Sequence, residues 1–179
     1  KVLKYYDLWF HMAYDIILMH RDKNTELFAK KLGFNIIFQE DIKALKIQQI
    51  QDYNKKRQAV ERLQINVLLN PHLSNLKDSL HYRRSGLDQV LCNFMHKNNI
   101  AMGFTLDSLN NHIDIGRVMQ NIFLCRKYKV KILFFTFAKD IYGLRSRYDL
   151  ISFLQVLGMT SNDANYALNG ISEFLPEKP

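Results

Sequence analysis

Short apolar runs alternate with amphipathic stretches at a nearly constant spacing, and this rhythm constrains the fold more than any other feature of the chain. Phe34 to Phe38 (FNIIF), Ile65 to Leu69 (INVLL), Ile100 to Leu106 and the aromatic run Lys131 to Phe137 (KILFFTF) are too short to span a membrane. They suit strands of a buried sheet, where β-branched and aromatic side chains fit best. Between them, apolar residues recur at helical spacing: Leu27, Phe28 and Leu32 before Gly33, then Leu87, Val90, Leu91 and Phe94. The same holds for Ile115, Met119, Ile122 and Phe123, and for Tyr148, Ile151, Leu154 and Leu157 before Gly158. Tyr5 to Phe10 (YYDLWF) predicts a first strand, and Asp15 to Met19 is a short apolar run of either type. Asn24 or Thr25 is the expected cap of the first helix. Asp41 to Leu63 predicts one or two helices with a solvated face, and a last helix is expected from Ser161 through Ala167.

Strand and helix alternating at this spacing predict an α/β fold: a parallel sheet with crossover helices. The glycines are scattered, and neither GxGxxG nor GxxxxGK occurs, so a barrel is favoured over an open nucleotide-binding sheet. A full (β/α)8 barrel usually takes at least about 200 residues. The expectation is therefore a single domain over 1–179, a TIM-barrel-like (β/α) barrel that is shortened or irregular, with at most six strands.

A formal net charge of +8 in 179 residues favours a polyanionic partner, and RNA or an acidic membrane surface are the usual ones. No apolar run approaches spanning length, so no membrane partner is expected. Cys92 and Cys125 lie in predicted helices among apolar neighbours and form no CxxC or zinc pattern. Buried free thiols are expected, in keeping with a reducing cytoplasm.

The cations gather in two loops. His72 to Ser85 carries His72, Lys77, His81, Arg83 and Arg84, with Tyr82 between them as a possible stacking surface for a base. Ala138 to Arg147 carries Lys139, Arg145 and Arg147. Parallel α/β topology sends loops from successive strands to one end, so both loops are expected to share a face, extended by Arg117, Arg126, Lys127 and Lys129, although lysines on a helix surface more often serve solubility. The plain alternative is a solvated surface, which is what charge runs usually are. No histidine pair has metal-ligand spacing, so neither a metal site nor a catalytic residue is expected. Asp88 reads as a cap, and Asp140 and Asp149 as local partners of nearby arginines.

Asn70-Pro71-His72, RRSGLDQVL (Arg83 to Leu91), NNIAMGFTLDSL (Asn98 to Leu109), RKYKV (Arg126 to Val130) and AKDIYGLRSRYDLISFLQVLGM (Ala138 to Met159) follow one another in an order that resembles the archaeal ribonuclease P protein component 3 family. The resemblance extends to Asp163, Ala164 and Asn169, and at the start to Tyr6 to Leu8 and Ala29 to Phe34. It implies a TIM-barrel-like fold related to polymerase-and-histidinol-phosphatase (PHP) phosphoesterases. It also implies a protein subunit of ribonuclease P, the ribonucleoprotein that removes the 5′ leader of precursor tRNA. The implied partners are ribonuclease P RNA, protein component 2 in a heterotetramer, other protein subunits and, indirectly, precursor tRNA. Magnesium would serve the RNA catalyst, with no cofactor in this chain.

Three departures from the family pattern stand out. The related phosphoesterases open with Asp-Leu-His-x-His, whereas this chain has Asp7-Leu8-Trp9-Phe10-His11, and tryptophan cannot ligate a metal. The span from Gln39 to Val60 is short where the family places additional strands, so part of the barrel wall is expected to be missing or rebuilt. Gln89 also stands where the motif commonly has histidine. The expectation is a non-catalytic RNA-binding subunit contacting phosphates through His72, Lys77, Arg83, Arg84, Arg117, Lys139, Arg145 and Arg147. The rivals are a metal-dependent phosphoesterase of the PHP kind and a module that contacts only protein.

Overall fold

The computed structural model describes residues 13–73, 77–81 and 83–175, apart from the side chains at 43 and 44. The expected strand Tyr5 to Phe10, with Asp7, Trp9 and the following His11, lies outside the described residues, as does Tyr82. In order, the elements are β1 (Ala13–Ile16), α1 (Lys23–Leu32), β2 (Phe34–Ile37), β3 (Ile47–Gln49), α2 (Tyr53–Glu61), β4 (Val67–Leu69), α3 (Gln89–Lys97), β5 (Ala101–Thr105), α4 (His112–Lys127), β6 (Ile132–Phe135), α5 (Arg147–Val156) and α6 (Ser161–Asn169). Short 3-10 turns include Gln39–Leu45 before β3 and Gly170–Phe174 after α6.

All strand pairs are parallel, as the βαβ rhythm predicts, but they form two sheets: β1 with β2, and β3-β4-β5-β6 in chain order. Backbone hydrogen bonds from Phe137 N to Ile16 O (3.0 Å) and from Leu18 N to Ala138 O (2.9 Å) tie the end of β6 to β1. Among the described residues β2 and β3 are not paired, so the wall is not a closed barrel.

Side chains alternate across these strands as the period of two requires. Val67, Leu69, Ala101, Leu133 and Phe135 join Ile16 and Ile37 from the smaller sheet in one inner cluster, with Ile171 from the last 3-10 turn. Leu68, Met102, Phe104, Ile132 and Phe134 face the other way and pack beneath the helices. Gly103 belongs to the inner set because a Cβ there would come within 2.8 Å of Val67 Cγ1. Cys92 and Cys125 are buried free thiols on the helix side.

The strand β3 interrupts the region expected to be helical. It is three residues long, IQQ, half-buried to exposed, and among the described residues it pairs only with β4. Caps also differ in detail. Asp22, ahead of Asn24 and Thr25, accepts the Thr25 N–H and starts α1, while Gly33 ends it in the left-handed region at φ 94°. Thr160 and Asp163 make a reciprocal capping box on α6, one residue before Ser161. Asp88 caps α3 as expected. The bonds of Asp140 and Asp149 are to their own turns: Asp140 accepts the Gly143 N–H, and Asp149 bonds with Ser146 at the start of α5.

Candidate functional site

The long loop between β4 and α3 is pinched at its base. Asn70, at φ 46° where the chain leaves β4, donates from Nδ2 to Thr105 Oγ1 (3.1 Å) and accepts the Thr105 N–H (3.0 Å), locking the ends of β4 and β5 together. Lys56 reaches in from α2, 2% exposed, and donates to Pro71 O (3.1 Å) and Gly86 O (3.4 Å). Burial lowers its pKa to about 8, against the raising effect of Asp52. Gly86 sits at φ +81°, and a Cβ on it would fall 1.8 Å from Pro71 O. Only glycine permits the two ends of the loop to approach this closely.

Within the loop, Asp78 organises two arginines. Arg117, 5% exposed on α4, donates from Nε and Nη2 to Asp78 Oδ1 (3.0 and 2.7 Å) and from Nη1 to His72 O (3.2 Å). The same carboxylate oxygen accepts the Arg84 N–H (2.8 Å). These bonds, from Arg117 first, hold the Asp78 carboxyl below its ordinary range. His72 is fully buried, with Nε2 3.5 Å from Ser108 O, and burial lowers its pKa to about 4, so the ring is neutral near pH 7. His72 Nδ1, Ser85 Oγ and Asn121 Oδ1 are buried without a hydrogen-bond partner among the described residues. A charged and polar floor therefore lies under the loop.

Above that floor Lys77, His81, Arg83 and Arg84 are exposed, with Arg83 anchored to Gly116 O at 2.8 Å. Lys139, leaving β6, pairs with Asp107, leaving β5, at 3.4 Å. Arg145 is exposed and donates to Tyr142 O and Leu144 O (2.6 and 2.9 Å), which stiffens its own turn. Asn70–Thr105 and Lys139–Asp107 together connect the loops that leave β4, β5 and β6. Lys77, Arg83, Arg84, Lys139 and Arg145 thus share the strand-leaving end.

Six of the residues expected on that face are elsewhere, and three of them, Arg126, Lys127 and Lys129, lie at the far end of α4, where the chain enters β6. His72 and Arg117 lie beneath it, and neither offers a donor to solvent, so they position the loop rather than touch a phosphate. Arg147 is half-buried against the α1–β2 turn, its Cβ 3.3 Å from the place a Gly33 Cβ would take, and it donates to Asn165 Oδ1 on α6 at 3.0 Å. Two residues beyond the exposed Arg145, its side chain is turned inward and off the exposed face. The exposed set can supply charge and donors to an anion. Among the described residues no three of His, Cys, Asp and Glu gather as a metal site.

No protein-family model matches the chain. It is 30% identical over 117 residues to ribonuclease P protein component 3 of Methanosarcina mazei, covering 62% of this chain and 49% of that protein. The chain is similar to archaeal ribonuclease P protein component 3. Against component 3 of Methanococcoides burtonii it is 29% identical over 124 residues, 66% of this chain and 48% of that protein. Against that of Methanococcus vannielii it is 28% identical over 134 residues, 66% and 55%. The chain spans about half the length of the component 3 proteins it matches. Its fold is also that of a chain in the cryo-EM structure of archaeal ribonuclease P with mature tRNA: TM-score 0.62 over 90% of this chain and 81% of the other, at 17% identity. That identity makes the second likeness one of fold.

Sequence reasoning missed the residues that shape the loop. Lys56, Asp78 and the Asn70–Thr105 pair were not singled out. Asp78 was the detectable one, being the only carboxylate among the cations of its loop.

Proposed function

We propose that this chain is a non-catalytic, RNA-binding protein subunit of ribonuclease P, supporting the catalytic RNA in removing the 5′ leader of precursor tRNA. The observation that carries the reading is the similarity to component 3 together with a basic loop system held from below by Lys56, Arg117 and Asp78. Lys77, Arg83, Arg84, Lys139 and Arg145 are its phosphate-contacting candidates. Trp9 in place of a ligating histidine supports a scaffold over a phosphoesterase, because indole offers no lone pair to a metal.

The two sheets are halves of one TIM-barrel-like wall left open between β2 and β3. Three observations support this: the strands follow chain order around the wall, β6 bonds to β1, and the inner cluster draws on both sheets. The partners in this reading are ribonuclease P RNA, protein component 2 in a heterotetramer and other protein subunits, with precursor tRNA met through the RNA. It works in the cytoplasm and needs no cofactor of its own, magnesium serving the RNA. Among the described residues no helix is long and apolar enough to cross a membrane.

Native mass spectrometry of the chain mixed with its cognate component 2 and ribonuclease P RNA tests this. A complex containing both proteins and the RNA is expected. A chain that joins component 2 but never the RNA would favour the protein-only module.

A further inference from the structure

The positive charge of this molecule is not concentrated where its longest basic loop is. In a parallel α/β wall each helix that crosses from one strand to the next begins at the strand-leaving end and finishes at the strand-entering end. The leaving end therefore collects the capping carboxylates: Asp52, Asp88 and Asp140 accept backbone N–H groups there, and Asp78 and Asp107 pair with Arg117 and Lys139. The loop cations sit among these acids, and that end is mixed in sign.

The entering end differs. Lys46 precedes β3, Arg62 precedes β4, Lys97 precedes β5, and Lys127 and Lys129 precede β6. All five are exposed, and none pairs with a carboxylate among the described residues. The acids at this end are already engaged: Glu61 by Arg57 (2.7 Å), Asp163 by Arg126 (3.2 Å) and Glu173 by Lys131. Lysines at helix ends are ordinarily explained by the helix dipole. That explanation does not reach Lys46 and Lys129, which lie outside the α-helices, each in a turn at positive φ (49° and 56°).

Hydrogen bonds hold these turns side by side. Asn66 N donates to Lys46 O (3.0 Å), Asn98 Nδ2 donates to Val60 O (2.8 Å), and His96 Nδ1 lies 2.9 Å from Lys129 O. The turns that enter four neighbouring strands thus carry one or two cations each, in a row of adjacent turns. Next to the row's last members a cleft of about 540 Å³ is lined by Arg126, Lys129, Lys131, Thr160, Asn162 and Asp163, the last neutralised by Arg126. A row of single-sign charge with hydroxyl and amide donors at its end suits a phosphate backbone.

We propose that the strand-entering turns of β3 to β6, through Lys46, Arg62, Lys97, Lys127 and Lys129, form a second RNA phosphate-binding surface, on the face opposite the long loop. The proposal deepens the RNA-binding reading above and rests on it. A chain that held RNA on both ends would bridge two segments of one large RNA.

The probe is the cognate ribonuclease P RNA, titrated at several potassium chloride concentrations with wild type and with the variant carrying glutamine at all five positions. The variant, checked for an unchanged thermal melt, should show a salt slope shallower by about three to four. In parallel, lysine acetylation of wild-type protein should show Lys46, Lys97, Lys127 and Lys129 protected by the RNA. Wild-type binding with an unchanged slope in the variant, or with these lysines fully reactive in the complex, would overturn the second surface while leaving RNA binding intact. Wild type with no salt-dependent affinity would overturn both.

Discussion

Asp15 on β1 accepts two hydrogen bonds from Thr136 just beyond β6, from the backbone N–H at 2.7 Å and from Oγ1 at 2.5 Å. Asp15 belongs to the smaller sheet, Thr136 directly follows the last strand of the larger one, and both are buried. With the backbone bonds on either side, this pair joins the two sheets. Thr136→Val removes one hydroxyl from a buried carboxylate and should cost about 2 kcal/mol in urea unfolding. An unchanged midpoint would mean that the joint is carried by the backbone alone.

Two buried groups pull stability in opposite directions as pH falls. Burial raises the Asp15 pKa to about 6, so its folded form takes up a proton first and stability rises between pH 6 and 3.8. His72 is lowered to about 4, so the unfolded chain takes up the proton first and stability falls between pH 6.5 and 4. Each effect is about 3 kcal/mol, and they largely cancel. Wild type should therefore lose little stability from these two groups across that window. Asp15→Asn should expose the His72 slope, with a denaturation midpoint that drops steadily from pH 6.5 to 4. A flat profile in that variant would contradict the burial of His72.

The base of the long loop depends on a contact that admits no side chain. Gly86→Ala would drive a methyl group into Pro71 O and Lys56 Nζ, on a backbone that disfavours any L side chain. A loss of about 3 kcal/mol or more is expected, seen as a lowered melting temperature and faster proteolysis between 72 and 86. Lys56→Met keeps the volume and removes a buried charge along with two hydrogen bonds, so it should be much milder.

Arg117 and Asp78 test positioning against contact. Arg117→Ala leaves a part-buried carboxylate without its main partner and should destabilise by about 3 kcal/mol. Because Arg117 lies beneath the surface, the salt slope of RNA binding should stay unchanged once the protein is folded. Arg83→Gln with Arg84→Gln should instead leave stability nearly intact and lower the slope by about two. Filter binding across a salt series separates these outcomes.

The strand–helix rhythm, the parallel pairing and the identity of the long loop were all legible in the sequence, because they depend on local apolar spacing. The strand β3 was not: with one apolar residue in three, it exists through pairing to β4 rather than through its own pattern. His72 and Arg117 read as surface cations because such residues are mostly exposed, and only Asp78 and the pinched base bring them inside. Arg147 is a similar case, since its place depends on how 138 to 146 crosses the surface. The five turn cations are visible in the sequence as scattered lysines and one arginine. They become a row only when the parallel topology sets all their turns at one end.

The role proposed for this chain is to support an RNA catalyst. Precursor-tRNA cleavage at limiting magnesium, with cognate ribonuclease P RNA and component 2, should be measured with the chain added and omitted. Cleavage that rises with the chain, and only when the RNA is present, is the predicted result. Cleavage by the protein without RNA, or no effect of the chain in the full mixture, would contradict it.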